Sequence, residues 1–181
     1  DKGVPANELV RESIFSDIII LGYQTFFSGV AGEGSILKDV LTDAECPVLI
    51  VPNEYKPIET LLLAFDGKPS SAFAIKQFTL LFPELVLKAN ASMIHISNTK
   101  ENSIEDGELM KEYLTVHYPK INFETLSGQA DEVILNFAEV QKNPLIVMGA
   151  YGRSGVSRFF SKSAAGKLLK EKSLPIFVAH R

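Results

Sequence analysis

The chain has 181 residues, of which 46% are hydrophobic and 22% are charged, and its formal net charge at pH 7 is −4. This length and apolar content suit a globular protein of one domain or slightly more. The negative charge argues against a nucleic-acid binder, and the apolar runs are too short to cross a bilayer. We expect no signal peptide, because the first residues lead into polar sequence, and a single cysteine excludes an intrachain disulfide. Together these features predict a cytoplasmic protein.

The first third of the chain predicts two helices and two strands. Apolar residues at helical spacing indicate the helices, and short runs of β-branched residues indicate buried strands. Ser35 is a suitable N-cap for the second helix. In chain order we predict a helix at 7–16, a strand at 17–22, a helix at 36–42, a strand at 46–52 and a polar linker at 53–59.

From residue 60 onward the pattern predicts five strands alternating with four helices. Such alternation is typical of a parallel sheet with helices on both faces. Either Ser70 or Ser71 is expected to cap the first of these helices. The predicted strands are 60–65, 91–97, 121–126, 144–149 and 175–180, and the predicted helices start near 70, 103, 131 and 163.

A glycine-rich segment follows the strand that ends at Gly149. Glycines recur at Gly152 and Gly155, and six basic residues against one acid lie between positions 151 and 172. Glycine lets the backbone come close to a ligand, and the N–H groups that open a helix favour an anion. The segment therefore predicts a phosphate cradle, although an ordinary turn between a strand and a helix uses similar residues.

The chain also contains an internal repeat. Segment 17–22 matches 144–149, segment 46–51 matches 174–179, and a serine stands 12 residues before the proline of each later segment. Residues 1–52 therefore read as the C-terminal half of a first domain, 53–59 as a linker and 60–181 as a complete second domain. Two strands cannot bury their apolar faces unaided. We therefore expect the first repeat to pack against the second domain, against another chain or against the remaining part of its own domain.

Taken together, these features resemble the universal stress protein family. The resemblance rests on the strand that ends in Ala64-Phe65-Asp66-Gly67, the run of residues 145–155, the serine that opens the last helix and the final Leu-Pro-Ile-Phe-Val strand. The chain as a whole is similar to the C-terminal portion of a tandem two-domain member. The resemblance implies an α/β fold: an open parallel five-stranded sheet of order 3-2-1-4-5, similar to adenine-nucleotide α-hydrolase-like folds and preceded by a half copy.

The resemblance further implies a nucleotide site. Family members that bind ATP carry Gly-x2-Gly-x9-Gly-Ser/Thr, which Gly149, Gly152 and Ser163 match, whereas Lys162 replaces the third glycine. That lysine would either crowd the phosphates or pair with them. The implied binding residues, with the aspartate near the adenosine, are Ala64, Phe65, Asp66, Ile96, Met148, Gly149, Gly152, Arg153, Lys162, Ser163 and Ala164.

Two classes of function follow from the resemblance. The first is a regulatory module that binds ATP, with Mg²⁺, or another adenine nucleotide. Slow hydrolysis is the most that we expect of it, because no general base is evident and the glycines of a Walker loop are missing. The second is an interaction module without nucleotide, which acts by self-association or by pairing of the two repeats through their last strands. Neither class involves a catalytic residue, a protein metal site, nucleic acid or a membrane.

Overall fold

The computed structural model describes residues 5–22, 40–97, 107–149 and 174–179. Every strand in this part of the chain joins one sheet. The helices are α1 (Pro5–Ser13), α2 (Pro69–Leu81), α3 (Pro83–Lys88), α4 (Gly107–His117) and α5 (Ala130–Glu139), and residues 40–43 are also helical. The strands are β1 (Ile19–Gly22), β2 (Val48–Val51), β3 (Thr60–Ala64), β4 (Asn90–Ile96), β5 (Ile121–Leu126), β6 (Pro144–Gly149) and β7 (Ile176–Ala179).

The sheet has seven strands in the order β1-β2-β7-β6-β3-β4-β5. Neighbouring strands are parallel except for β2 and β7, which are antiparallel. The α/β class expected from the sequence is confirmed. The five strands from Thr60 onward are parallel to one another, and β1 and β2 extend them to a mixed sheet of seven. Read from Thr60 onward, the spatial order is third, second, first, fourth and fifth strand.

The contact between the two ends of the chain is the antiparallel pair of β2 and β7. Leu49 lies opposite Phe177, with Val48 opposite Val178 and Ile50 opposite Ile176. This is the pairing of the last strands that the resemblance implied. The division of the chain into a half domain, a linker and a complete domain stays a prediction.

The predicted strand at 46–52 is shorter in the structure, since β2 begins after Pro47 and ends before Pro52. Proline has no N–H group with which to extend a ladder. The predicted linker at 53–59 contains no regular element, but its last residue is held in place. The Glu59 carboxylate accepts a hydrogen bond from Asn143 at 3.0 Å and pairs with Lys142 at 2.7 Å, which fixes the start of β3 beside β6.

Helices cover both faces of the sheet. Buried side chains along the strands alternate between two hydrophobic cores, one on each face. On the first face, α1, residues 40–44 and α5 pack over the sheet through side chains such as Leu41 and Leu135. On the second face, α2, α3 and α4 pack over it through Phe78, Val86 and Leu114. Within the described ranges, no helix is both long enough and apolar enough to span a bilayer.

The start of α2 differs from the sequence prediction. Neither Ser70 nor Ser71 caps the helix: Lys68 is the N-cap, without a side-chain cap bond, and Pro69 is the first helical residue. The side chain of Ser71 is instead within hydrogen-bond distance of Asp66. Ser71 therefore contacts the residue that follows β3 instead of capping the helix. The spacing of residues in the sequence does not distinguish these two roles.

Gly149, the last residue of β6, lies against the first turn of α2. A Cβ atom added at this position would come within 2.6 Å of the Ser70 carbonyl carbon and of the Ser71 nitrogen. Both are backbone atoms, so the clash cannot be relieved by a side-chain rotation. The glycine is thus required for the close packing of α2 onto β6, whatever else this position does.

A buried polar pair joins α2 to the end of α4. The Tyr118 hydroxyl lies 2.8 Å from Thr79 Oγ1, which in turn donates to the Ile75 carbonyl at 2.8 Å. Because the threonine hydroxyl has one hydrogen, Tyr118 is the donor of the pair. Burial raises the pKa of Tyr118 well above its usual range.

We expect Tyr118→Phe to lower the free energy of unfolding by about 1 kcal/mol at neutral pH, since Thr79 loses a buried hydrogen-bond donor. The raised pKa of Tyr118 means that its contribution is fully present below the unfolded-state value of about 10 and is lost as the pH rises above it. Urea melts from pH 7 to 11 will therefore show a shallower alkaline loss for the variant. Tyr55→Phe, at an exposed tyrosine, should behave like the parent protein. Equal alkaline slopes for all three would contradict this assignment.

We expect Gly149→Ala to destabilise the protein by about 1–3 kcal/mol without any ligand, as overpacking of a tight contact does. The measurement is urea denaturation in nucleotide-free buffer. Met148→Leu, a swap of similar volume at the neighbouring buried position, is the control and should cost less than about 1.5 kcal/mol. A Gly149→Ala protein of unchanged stability would show that α2 does not pack as described.

Candidate functional site

The candidate site lies where the carboxyl ends of β6, β3 and β4 meet. From β3 the chain crosses through α2 to β4 on one side, whereas from β6 it continues to β7 on the other side. The chain thus leaves two adjacent strands in opposite directions, which opens a crevice between their ends. Ligands of open α/β sheets bind at such a topological switch point.

Three apolar residues of the implied site share one face of the sheet. Ala64 and Ile96 are half-buried, and Met148 is buried, and all three belong to the core under α1 and α5. The register pairs Leu63 with Val147, so Ala64 and Met148 stand at the same level on neighbouring strands. The structure therefore brings these three predicted residues together at one end of one face.

Asp66 follows β3 at the edge of this apolar surface. Its Oδ1 atom lies 2.6 Å from Ser71 Oγ, which is buried, and accepts a hydrogen bond of 3.2 Å from the Lys68 backbone N–H. The second of these is an Asx turn, in which a carboxylate binds the backbone two residues on. The side chain remains 33% exposed, so Asp66 is held in one orientation while part of it still faces solvent.

Lys68 and Ser71 are two residues of this neighbourhood that the sequence analysis did not assign to the site. The Lys68 ammonium lies 3.5 Å from Asp66 Oδ2 and is largely exposed, so the ion pair contributes little to stability. Ser71 also donates to the Lys68 carbonyl, at 2.9 Å, in competition with its bond to Asp66. The signal that could have found them is the run Asp-Gly-Lys-Pro-Ser-Ser directly after a buried strand.

Phe65 takes a different place from the one that the resemblance implied. Its side chain is buried in the core under α2, on the opposite face from Ala64 and Ile96. Its backbone N–H donates to the Ile94 carbonyl at 2.9 Å, and its carbonyl lies 3.1 Å from His95 Nδ1. Phe65 therefore supports the strand end, and the ring is not exposed beside the crevice.

The phosphate side of the implied site falls outside the described residues. Gly149 closes β6 at the crevice and is buried against α2. In the described ranges, no group of three or more histidine, cysteine or acidic residues could hold a metal ion. The implied residues that lie outside these ranges are Gly152, Arg153, Lys162, Ser163 and Ala164.

Known protein sequences resemble this chain over different lengths. The Universal stress protein family profile matches residues 83–180. Universal stress protein Slr1230 of Synechocystis is 26% identical over 164 residues, which cover 88% of this chain and 56% of that protein. Universal stress protein MJ0531 of Methanocaldococcus jannaschii is 37% identical over 62 residues, which cover 34% of this chain and 36% of that protein. The chain thus spans about half the length, or less, of these curated relatives.

Solved structures share the fold. A universal stress protein from Archaeoglobus fulgidus superposes with a TM-score of 0.70 at 18% identity, covering 99% of this chain and 66% of that one. A universal stress protein in complex with cAMP superposes with a TM-score of 0.50 at 14% identity, covering 69% of this chain and 99% of that one. The family profile matches more than half of the residues, and the chain belongs to the universal stress protein family.

Proposed function

We propose that this chain binds an adenine nucleotide, ATP in particular, at the carboxyl ends of β6, β3 and β4, and that the binding is regulatory. The observation that carries the proposal is the position of Asp66. Its carboxylate is oriented by Ser71 and the Lys68 N–H, yet it stays partly exposed at the switch point of the sheet. An oriented carboxylate can accept hydrogen bonds from the hydroxyl groups of a ribose.

The apolar surface beside Asp66 suits an adenine ring. Ala64, Ile96 and Met148 offer aliphatic and thioether groups at the ends of three adjacent strands, and binding sites combine such surfaces with few oriented polar groups. The neighbour that was solved with cAMP shares the fold and holds an adenine nucleotide. These two points support adenosine as the part of the ligand that lies nearest to Asp66.

The phosphates are proposed to lie along the segment that follows β6. Gly149, Gly152, Arg153, Lys162, Ser163 and Ala164 are the contacts that the family pattern assigns there. Backbone N–H groups and a local excess of positive charge attract a polyphosphate. Lys162 replaces a glycine, and we propose that its ammonium pairs with a phosphate oxygen. Mg²⁺ would neutralise charge on the phosphates, to which it would be bound.

The proposed role is binding rather than catalysis, with slow ATP hydrolysis as the upper limit. Phosphoryl transfer to water requires a positioned nucleophile and charge stabilisation around the transferred group. His95 lies beside the site, where its Nδ1 atom is within hydrogen-bond distance of the Phe65 carbonyl. We assign it no catalytic role, and we assign none to any other residue. A cytoplasmic location, in keeping with an ATP ligand, is part of the proposal.

The second candidate function is the interaction module without nucleotide, and the strand pairing supports the form of it in which the two repeats pair within one chain. The sequence suggested an interaction module that uses its last strand, and β7 is paired with β2 on one side and with β6 on the other. Both edges of β7 are thus used within the chain. Among the described residues, the pairing of the last strands is therefore intramolecular, and β7 offers no edge to a second molecule.

We expect ATP at a concentration one hundred times its dissociation constant to stabilise the folded protein by about 2.7 kcal/mol, because the ligand binds the folded state alone. For a domain of this size, this corresponds to a rise in melting temperature of about 5–10 °C. The measurement is a thermal melt with and without ATP and Mg²⁺, and GTP provides the comparison for the base. No shift at millimolar ATP would contradict nucleotide binding and leave the interaction module.

We expect Asp66→Ala and Gly152→Val each to abolish the ATP-dependent shift, the first on the ribose side and the second on the phosphate side. The readout is the shift itself, so a lower melting temperature without ATP does not confuse it. Glu84→Ala is the matched control. Glu84 also pairs with a lysine through an exposed carboxylate, but it lies on α3, away from the proposed site. Variants that keep the full shift would place the nucleotide elsewhere.

A further inference from the structure

The outer side of β1 is an apolar sheet edge. β1 is the last strand on its side of the sheet, next to β2. Ile19 and Leu21 point into the core on the first face and are buried, whereas Ile20, between them, is 62% exposed on the second face. An apolar edge strand with unpaired backbone groups is a template for pairing with another strand.

The backbone of β1 offers hydrogen bonds on this outer side. The Ile19 N–H donates to the Pro47 carbonyl at 2.9 Å, toward β2. Successive N–H groups of a strand point to opposite sides in the plane of the sheet, so those of Ile20 and Gly22 point away from β2. The edge is therefore suited to a parallel or antiparallel strand from elsewhere.

The register of the sheet indicates which strand of the protein corresponds to β1. The repeat equates Leu49 with Phe177, and these two residues face each other at the centre of the β2–β7 pair. The residues on either side of this central pair are related by a local twofold axis: Val48 faces Val178, and Ile50 faces Ile176. The β1–β2 and β6–β7 pairs also share one register, with Ile20 beside Leu49 and Val147 beside Phe177. Thus β1 and Ile20 are the counterparts of β6 and Val147.

The counterparts differ in what covers them. Val147 is fully buried, with β3 paired along its strand and the apolar side chains of α2 in the same core. Two aromatic rings cover Phe177. Its ring centroid lies 5.3 Å from that of Phe78, on α2, and 6.1 Å from that of Phe82, which directly follows α2. The described residues provide no such strand and helix beside β1.

A second exposed apolar side chain shortly precedes β1 in the chain. The repeat equates Phe15 with Lys142, which pairs with Glu59 just before β3, and whose carbonyl accepts a bond from Thr60. Phe15 is 86% exposed. We call the surface formed by Phe15, Ile20 and the outer side of β1 the β1 edge.

We propose that the β1 edge binds a parallel β-strand that is followed directly by an amphipathic helix, a unit built like Thr60–Leu81. The expected register places the counterpart of Leu63 beside Ile20, as Leu63 lies beside Val147. The first turn of the docked helix then lies against Gly22, as α2 lies against Gly149, which accounts for a glycine at both positions.

A second molecule of this chain is a poorer occupant. Its own Thr60–Leu81 unit is already paired, because β3 has β4 on one side and β6 on the other. It could offer only its own β1 edge. Two such edges would satisfy each other's backbone but would leave Ile20 of both molecules without the helix that covers Val147.

The test uses a synthetic peptide with the sequence of residues 57–82, added to the full chain and followed by hydrogen exchange. We expect the exchange of the Ile20 and Gly22 amides to slow at least tenfold. Ile20→Arg should abolish this protection, whereas Val140→Arg, at another exposed apolar residue, should keep it. Unchanged exchange at saturating peptide would overturn the proposal. Concentration-dependent protection without peptide, with a dimer in sedimentation, would also overturn it by making a second molecule the occupant.

A fusion provides a readout that does not depend on peptide solubility. Residues 57–82 are duplicated ahead of residue 1 through a flexible linker long enough to reach the β1 edge. We expect the fusion to melt at a higher temperature than the unfused chain, and Ile20→Arg to remove this gain within the fusion. Equal melting temperatures for the fusion and for its Ile20→Arg variant would overturn the proposal.

Discussion

The antiparallel contact of β2 with β7 is the constraint on which the rest of the architecture depends. The strands on either side of it are parallel to their neighbours, so this one contact turns two parallel sets into a single mixed sheet. It buries Leu49 against the same core as Phe177, on the face that α2 covers. Residues 5–22 and 40–51 thereby gain a core that two strands could not form by themselves.

The crevice at the carboxyl ends of β6, β3 and β4 depends on how closely α2 approaches the sheet. Gly149 allows the first turn of this helix to touch the end of β6, and Asp66 connects the end of β3 to the same turn through Ser71. The carboxylate proposed to contact the ribose is thus also part of the local packing. Such double use fixes the geometry of a site before any ligand arrives.

Much of the fold was predictable because its signals are local. Alternation of short apolar runs with helical spacing predicted the α/β class, and the family resemblance implied that β2 would face β7. The sequence analysis did not identify the role of Ser71, since a serine near a helix start resembles a cap wherever its hydroxyl points. The sequence did not show on which face the Phe65 side chain lies: a residue next to a site aspartate need not share its face, and here the side chain enters the opposite core. Lys162 and Ser163 remain predictions from the family pattern.

The β2–β7 contact also has a consequence for the order of events during synthesis. β2 leaves the ribosome well before its partner β7, because the two strands lie far apart in the sequence. Contacts between distant segments form slowly, because the chain between them must lose its freedom first. Until then the apolar side chains of β2 are exposed to other nascent chains and to chaperones. The arrival of β7 is therefore the step that lets residues 5–22 and 40–51 complete their core.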